Sequence, residues 1–340
     1  MPALGLDPGA RVLAVAMAAE PILPELLRSG CAVVACDWSW GALEQARRGG
    51  LPPSAVVPWE DLAPPAVAGQ PFDAALCDLG RIPGRAAFAM AVRCACMGLS
   101  PAGRLLVAGG HAEGVGGAAT RLREWFGSAV PVGYAGGRRI LEARPGPRRA
   151  PPPPTAEDVA AMVGGVRLRL RTVEGVFNRG LPDAAGDLLC GVLARRGLAA
   201  GRRRAADVGA GAGVLGLCAL ALGAERCALV EDNLVALAAA RGNAARNGLG
   251  GRASMAPADA RSGVPDGPYD LVVCNPPIHQ GPREDREVGR ALVRRAWEAV
   301  AAGGVLVVVA HRFLPYDRDV PELEEAEGMG AFRVWTARRP

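Results

Sequence analysis

Short apolar runs alternate along this chain with segments whose apolar residues recur at helical spacing. In the first half, RVLAVAM, CAVVACDW, DAALCDL and RLLVAGG read as buried strands. Between them, PILPELLRSG, GALEQARRGG and AAFAMAVRCACMGL read as helices. The second half repeats the scheme. RAADVGAG, RCALVED, YDLVVCN and GGVLVVVAHR are strand-like, and VLGLCALALG, LVALAAARGNAARNGL and DREVGRALVRRAWEAVA are helix-like. Strands that alternate with helices need crossover connections, which build parallel sheets. The expected fold class is therefore α/β, with two tandem Rossmann-like domains whose sheets are doubly wound and mostly parallel.

Two stretches depart from this rhythm. RPGPRRAPPPPT, Arg144 to Thr155, reads as a stiff, extended connector. It predicts a first domain over residues 1–143, a linker over 144–155 and a second domain over 156–340. VRLRLRT, Val166 to Thr172, alternates with period two, so on a strand Arg167, Arg169 and Arg171 share one face. Such a row either grips a phosphate backbone or is a solvated strand face.

Composition narrows the class without choosing a function. Of 340 residues, 50% are apolar and 21% charged, an ordinary globular balance. No apolar run approaches the roughly 20 residues that span a bilayer. The N-terminus lacks the basic region of a signal peptide, so a cytoplasmic protein without membrane association is expected. The nine cysteines form no CxxC pair and there are only three histidines, so reduced, buried thiols and no metal site are expected. The net charge is +5, and every basic residue is arginine, which binds phosphate bidentately. That balance permits a nucleic-acid partner without requiring one.

The candidate chemistry lies in the second half. Asp207, Gly209, Gly211 and Gly213 follow a strand and precede a helix, and glycines there let a ligand approach backbone amides. Gly211, Gly213 and Gly216 also satisfy GxGxxG, which leaves a dinucleotide reading open. The next strand ends in Glu231 and Asp232, acids placed to accept hydrogen bonds from ribose hydroxyls. Asp259 follows a third short strand, where it could meet an adenine amine. VVCNPPIHQG then ends a buried strand at Asn275, because two prolines cannot continue a sheet. An amine conjugated to a ring is barely nucleophilic. Two acceptors aimed at its hydrogens, the Asn275 side-chain oxygen and the Pro276 carbonyl, would free its lone pair. The first half keeps an acid, Asp37, after its second strand but has Ala14, Ala16 and Ala18 in place of the glycines. A first domain that kept the fold and lost the ligand pocket is expected.

DVGAGAG with CNPPIHQG resembles the class I S-adenosylmethionine-dependent amino methyltransferases. The flanking EGVFNRGLPDAAGDLLCGVL, VVVAHRFLPYDRDV and RLLVAGGHAEGV narrow this to the bacterial ribosomal RNA guanine-N2 methyltransferases, of small-subunit 16S type. The resemblance covers nearly the whole chain and implies tandem methyltransferase-like domains, the first degenerate, acting on ribosomal RNA or a small-subunit particle. It implies S-adenosylmethionine held by Phe177, Asp207, Gly209, Gly211, Gly213, Glu231, Asp232, Asp259 and Asn275. It implies catalysis at Asn275, Pro276, Pro277 and His279. Ile278 and Arg167, Arg169 and Arg171 would contact the substrate. Phe177, Asn178 and Arg179 match the segment before the helix that lies over the cofactor. The family usually has Phe where this chain has Ile278, which covers a base only by dispersion, so affinity or base choice is expected to differ. It usually has Asn where this chain has His311, a change without a physical account. A monomer is expected. Methylation of adenine N6 or of protein glutamine uses the same turn, and a non-catalytic RNA-binding factor and a nicotinamide-dependent oxidoreductase complete the alternatives.

Overall fold

The structure, a computed structural model, describes residues 5–59, 71–82, 84–144, 150–259, 262–277, 279–280, 283–284, 286–314 and 316–340. The chain divides into two compact units, Met1–Pro154 and Thr155–Pro340.

The first unit is a seven-stranded sheet. Its strands are β1 (Arg11–Val15), β2 (Ala32–Asp37), β3 (Val56–Pro58), β4 (Phe72–Asp78), β5 (Leu99–Gly109), β6 (Val130–Ala135) and β7 (Arg138–Ala143), in the order β3-β2-β1-β4-β5-β7-β6. Its helices are α1 (Ile22–Arg28), α2 (Trp40–Arg48), α3 (Gly84–Gly98) and α4 (Val115–Phe126). The second unit opens with a hairpin, β8 (Asp158–Val163) and β9 (Val166–Arg171). The two residues between them, Gly164 and Gly165, both have positive φ, as a tight hairpin turn requires. A second seven-stranded sheet follows: β10 (Arg204–Val208), β11 (Arg226–Glu231), β12 (Ala253–Pro257), β13 (Tyr269–Cys274), β16 (Val300–His311), β17 (Glu324–Met329) and β18 (Phe332–Arg338). Its order, β12-β11-β10-β13-β16-β18-β17, repeats that of the first sheet strand for strand. A short ribbon, β14 (His279–Gln280) and β15 (Arg283–Glu284), lies between β13 and β16 in the chain. The helices are α5 (Ala184–Arg195), α6 (Val214–Ala221), α7 (Leu234–Arg246) and α8 (Arg286–Glu298).

In each sheet the first five strands in space are parallel, and the sixth, β7 or β18, runs antiparallel to both of its neighbours. The parallel strands are buried on both faces. Along β16, Val305, Val307 and Val309 enter one core, and Leu306, Val308 and Ala310 enter the other. A fully buried aliphatic side chain contributes about 1.5–3 kcal/mol, so this run anchors β16 at the centre of the sheet. The antiparallel edges were not read from the sequence. GMGAFRVWTAR mixes polar and apolar residues because a strand near an edge buries only part of its surface. No helix among the described residues is long and apolar enough to cross a membrane.

Candidate active site

The order of the second sheet reverses direction at β10, and doubly wound sheets bind ligands in the crevice outside the strand ends at such a point. Gly209, Gly211 and Gly213 come directly after β10, all with positive φ. Their surroundings differ. A side chain at Gly209 would lie 3.0 Å from Leu292, and one at Gly213 would lie 3.1 Å from Ala240. At Gly216 it would collide with Leu229, 2.3 Å away, so that glycine lets α6 lie close on the sheet. Only Gly211 of this set has nothing within 4 Å. Its side faces open space, while the others serve packing.

The next strand supplies the carboxylate. One Glu231 oxygen accepts the Gly211 N–H at 2.7 Å and the other the Asn233 N–H at 2.9 Å. These bonds pin the glycine loop to β11 and leave each oxygen a further lone pair for a hydroxyl donor. Burial pushes the Glu231 carboxyl up, against the pull of those two amides. Asp207 is wholly buried. Its Oδ2 accepts the Gly216 N–H at 2.7 Å, and its Oδ1 has no partner among the described residues. Burial pushes the Asp207 carboxyl up to about 7, with the Gly216 amide opposing and the Glu231 charge assisting. Asp232 is half-buried at the same end. Asp259 follows β12, and its Oδ1 accepts the Ser262 N–H at 2.7 Å.

Asn275 stands at the tip of β13, beside β10 on one side and β16 on the other. It is half-buried, Pro276 is buried and Pro277 exposed. The Asn275 amide makes no hydrogen bond to another described residue. His279 pairs with Glu284 in the β14–β15 ribbon. Ile278, like Arg148 and Arg149 of the linker, lies outside the described residues. A support that the sequence did not disclose lies under the turn. A side chain at Gly289 of α8 would stand 2.7 Å from the Pro277 carbonyl oxygen and 2.6 Å from the Tyr316 hydroxyl. Tyr316 is 3% exposed, so α8 and Tyr316 together wall the turn from below. The signal was a lone glycine in a helical pattern.

The segment Phe177–Gly180 precedes α5. Asn178 and Arg179 both adopt left-handed φ, 46° and 54°, which costs free energy in non-glycine residues. The Asn178 side chain holds the bend by donating to the Leu181 and Pro182 carbonyls, both at 3.1 Å. The bend leaves Phe177 75% exposed. Asn233 reaches the segment, donating to the Gly175 carbonyl at 3.4 Å, and also caps α7.

The alternation along β9 is as read. Leu168 and Leu170 are buried, and Arg167, Arg169 and Arg171 are exposed. The sequence did not show what secures this strand. Asn243 of α7 and Asn247, which caps the end of that helix, accept the Arg171 and Arg169 N–H groups, both at 2.9 Å. Asn243 also donates to the Ala212 carbonyl at 3.1 Å, so the arginine strand and the glycine loop share one tether.

The first unit carries different residues at the matching positions. Val15 pairs with Cys36 and Cys77 as Val208 pairs with Val230 and Cys274. By that register Ala16 stands for Gly209, Ala18 for Gly211, Asp37 for Glu231 and Asp78 for Asn275. The correspondence extends to hydrogen bonds. Asp37 accepts the Ala18 and Ser39 N–H groups at 3.0 and 2.9 Å, as Glu231 accepts those of Gly211 and Asn233. The contents differ. Trp38 and fully buried Trp59 occupy the positions of Asp232 and Ala258, their rings 5.4 Å apart. Asp78 is bound by Arg138, which also donates to Glu113 at 2.9 Å. Two indoles thus stand where the second unit has Asp232 and Ala258, and an ion-paired carboxylate where it has an unengaged amide.

A profile of the methyltransferase small domain family matches residues 167–334, from β9 into β18. Residues 167–334, just under half of the chain, thus resemble a methyltransferase small domain. Structural similarity to one solved ribosomal RNA methyltransferase runs through both units. The structure of the T. thermophilus 16S rRNA N2 G1207 methyltransferase (RsmC), in complex with AdoMet and guanosine, superposes with a TM-score of 0.81 at 26% identity. That match covers 99% of this chain and 90% of the other. Ribosomal RNA small subunit methyltransferase C of Pseudomonas paraeruginosa is 40% identical over 182 residues, 51% of this chain and 52% of the relative. Its counterpart in Klebsiella pneumoniae is 34% identical over 176 residues, 49% and 48% of the two chains. The chain thus spans about half the length of the curated relatives it matches.

Proposed function

We propose that this protein transfers a methyl group from S-adenosylmethionine to the exocyclic N2 amine of a guanine in small-subunit ribosomal RNA. The observation that carries the reading is the Asn275 amide. It is half-buried at the tip of β13, beside the switch point of the sheet, and has no hydrogen bond to another described residue. The names of the relatives and the AdoMet and guanosine of the RsmC structure support the same reading.

The crevice suits a nucleoside-bearing sulfonium. Gly211 leaves room for its approach, Glu231 has lone pairs for the ribose hydroxyls, and Asp259 stands at the adenine side. Asp207 underpins the loop from within through Gly216. Phe177 and Asp232 border the same end. When bound, the cofactor supplies an electrophilic methyl group.

The chain's own residues then do three things. Asn275 Oδ1 and the Pro276 carbonyl accept the two hydrogens of the guanine amine, which turns its lone pair outward and makes it nucleophilic. The prolines fix the distance between these acceptors, so little rotational freedom is lost on binding. Once the nitrogen carries the methyl group it is cationic and acidic, and its surplus proton leaves along the Asn275 hydrogen bond to solvent. No strong base is needed. Arg167, Arg169 and Arg171 grip phosphates and deliver the target nucleotide, which must leave its stack to reach Asn275. The first unit serves as a structural and RNA-positioning body.

The test is Asn275→Ala. Methyl transfer to small-subunit RNA is expected to fall at least about 100-fold, as for the loss of one preorganised hydrogen-bonding group. Cofactor binding by calorimetry is expected to stay within about twofold. Retained turnover in that variant would remove Asn275 from the reaction.

A further inference from the structure

Asn275, Pro276, Pro277 and Ile278 are all non-aromatic, so these four residues give a base no aromatic face. A nucleotide drawn out of its stack loses its neighbours on both faces, so a stacking surface has to come from elsewhere. The end of β16 carries one. His311 and Phe313 stack with centroids 3.9 Å apart and planes inclined by 36°. The Phe332 ring meets His311 edge-on at 5.8 Å, from the partner strand β18.

Three observations point to a ligand at this stack. First, its position: Cys274 pairs with Val308, so Asn275 lies beside Val309, and His311 is two residues farther along, a rise of roughly 6.6 Å. Val307 and Val309 enter the core on the side of α5. His311 continues that alternation, and so does Asn275 when the pattern of Leu271 and Val273 is carried on. Second, its exposure: Phe313 is 54% exposed, and of the six phenylalanines only Phe177 is more so. Third, its cost: His311 Nδ1 is buried with no hydrogen-bond partner among the described residues. An imidazole nitrogen sealed in this way loses its hydration without replacement. The ring is held there by its aromatic neighbours, Phe313 and Phe332.

We infer that the His311–Phe313 pair is the stacking platform for the flipped purine, which lies on the Phe313 ring while its amine reaches Asn275. His311 acts as a positioning residue that backs Phe313. The inference rests on the proposed methylation of guanine and adds a substrate-binding site to it.

The test compares the wild type with Phe313→Ala and Phe313→Tyr. Calorimetry reads the binding of guanosine in the presence of S-adenosylhomocysteine, and of S-adenosylhomocysteine alone. Phe313 is exposed, so neither variant removes core. In Phe313→Ala, affinity for guanosine and 1/KM for RNA should fall roughly 5- to 150-fold, the range of one base–aromatic stack. Affinity for S-adenosylhomocysteine should be unchanged, and Phe313→Tyr should restore guanosine binding to within about threefold. Unchanged guanosine binding in Phe313→Ala overturns the platform, as does an equal loss of S-adenosylhomocysteine binding, which would place the ring in the cofactor pocket. A wild type that binds guanosine through Phe313 but transfers no methyl group refutes the methylation and leaves the platform standing. A wild type that transfers methyl while Phe313→Ala matches it does the reverse.

Discussion

Gly289→Ala tests whether the Asn-Pro-Pro turn must be held in register. In an ordinary helix this change stabilises by about 1 kcal/mol. Here the new methyl group would stand 2.7 Å from the Pro277 carbonyl oxygen and 2.6 Å from the Tyr316 hydroxyl, where ordinary contact begins at 3.4 Å. Each neighbour has to retreat by about 0.7 Å or more. Tyr316 is 3% exposed and walled in, whereas Pro277 is exposed, so the turn yields first. Overpacking of this kind costs about 1–3 kcal/mol, and the gain in helix propensity offsets part of it, so the thermal midpoint should move by only a few degrees. Activity is far more sensitive, because a misplacement of about 1 Å at a reacting centre can cost about 100-fold. Single-turnover methyl transfer is expected to slow about 10- to 100-fold, with cofactor affinity unchanged. Adding Tyr316→Phe removes one of the two oxygens and should recover part of the rate. Full activity in Gly289→Ala, or a loss explained by weaker cofactor binding, refutes the claim that α8 and Tyr316 register the turn.

Gly211→Val puts a branched side chain into the open side of the glycine loop, at a positive φ that valine resists, and should abolish cofactor binding by calorimetry while Gly211→Ala weakens it less. Asp207 stays protonated in the native chain over a range where the unfolded chain is ionised, because burial lifts it from 3.8 to about 7. Stability contributed by that group is therefore full below about pH 4, falls as pH rises towards 7 and levels off above it. Urea denaturation of Asp207→Asn should lose this slope and show a more stable protein than the wild type at pH 8; an unchanged slope assigns it elsewhere. Replacing Arg167, Arg169 and Arg171 by Ala should weaken RNA binding and flatten its dependence on salt, by up to about three phosphate contacts, without altering cofactor affinity. An unchanged salt slope makes the row a solvated face.

Much of the site is local in the chain and was therefore legible. The glycines of the loop, the acids ending β11 and the Asn-Pro-Pro stop each announce themselves within ten residues. So does β9, whose arginines and leucines obey a period of two. What stayed hidden is what distant segments do to one another. Trp38 and Trp59 read as ordinary apolar residues, and only the strand register puts them where the second unit keeps Asp232 and Ala258. Asn243 and Asn247 close the edge of a strand more than 70 residues earlier, a pairing no local pattern reveals. Gly289 lies against Pro277 and Tyr316, a contact made only in the folded chain. His311 looked like an unexplained departure and proves to be the centre of an aromatic stack.

The identity of the modified nucleoside tests the central claim most directly. Small-subunit ribosomal RNA lacking the modification would be incubated with the purified protein and isotopically labelled S-adenosylmethionine, digested to nucleosides and analysed by mass spectrometry. The account predicts that the label appears in N2-methylguanosine, at one site and in no other nucleoside. Label in N6-methyladenosine, or none in RNA from an active cofactor-bound protein, would contradict it.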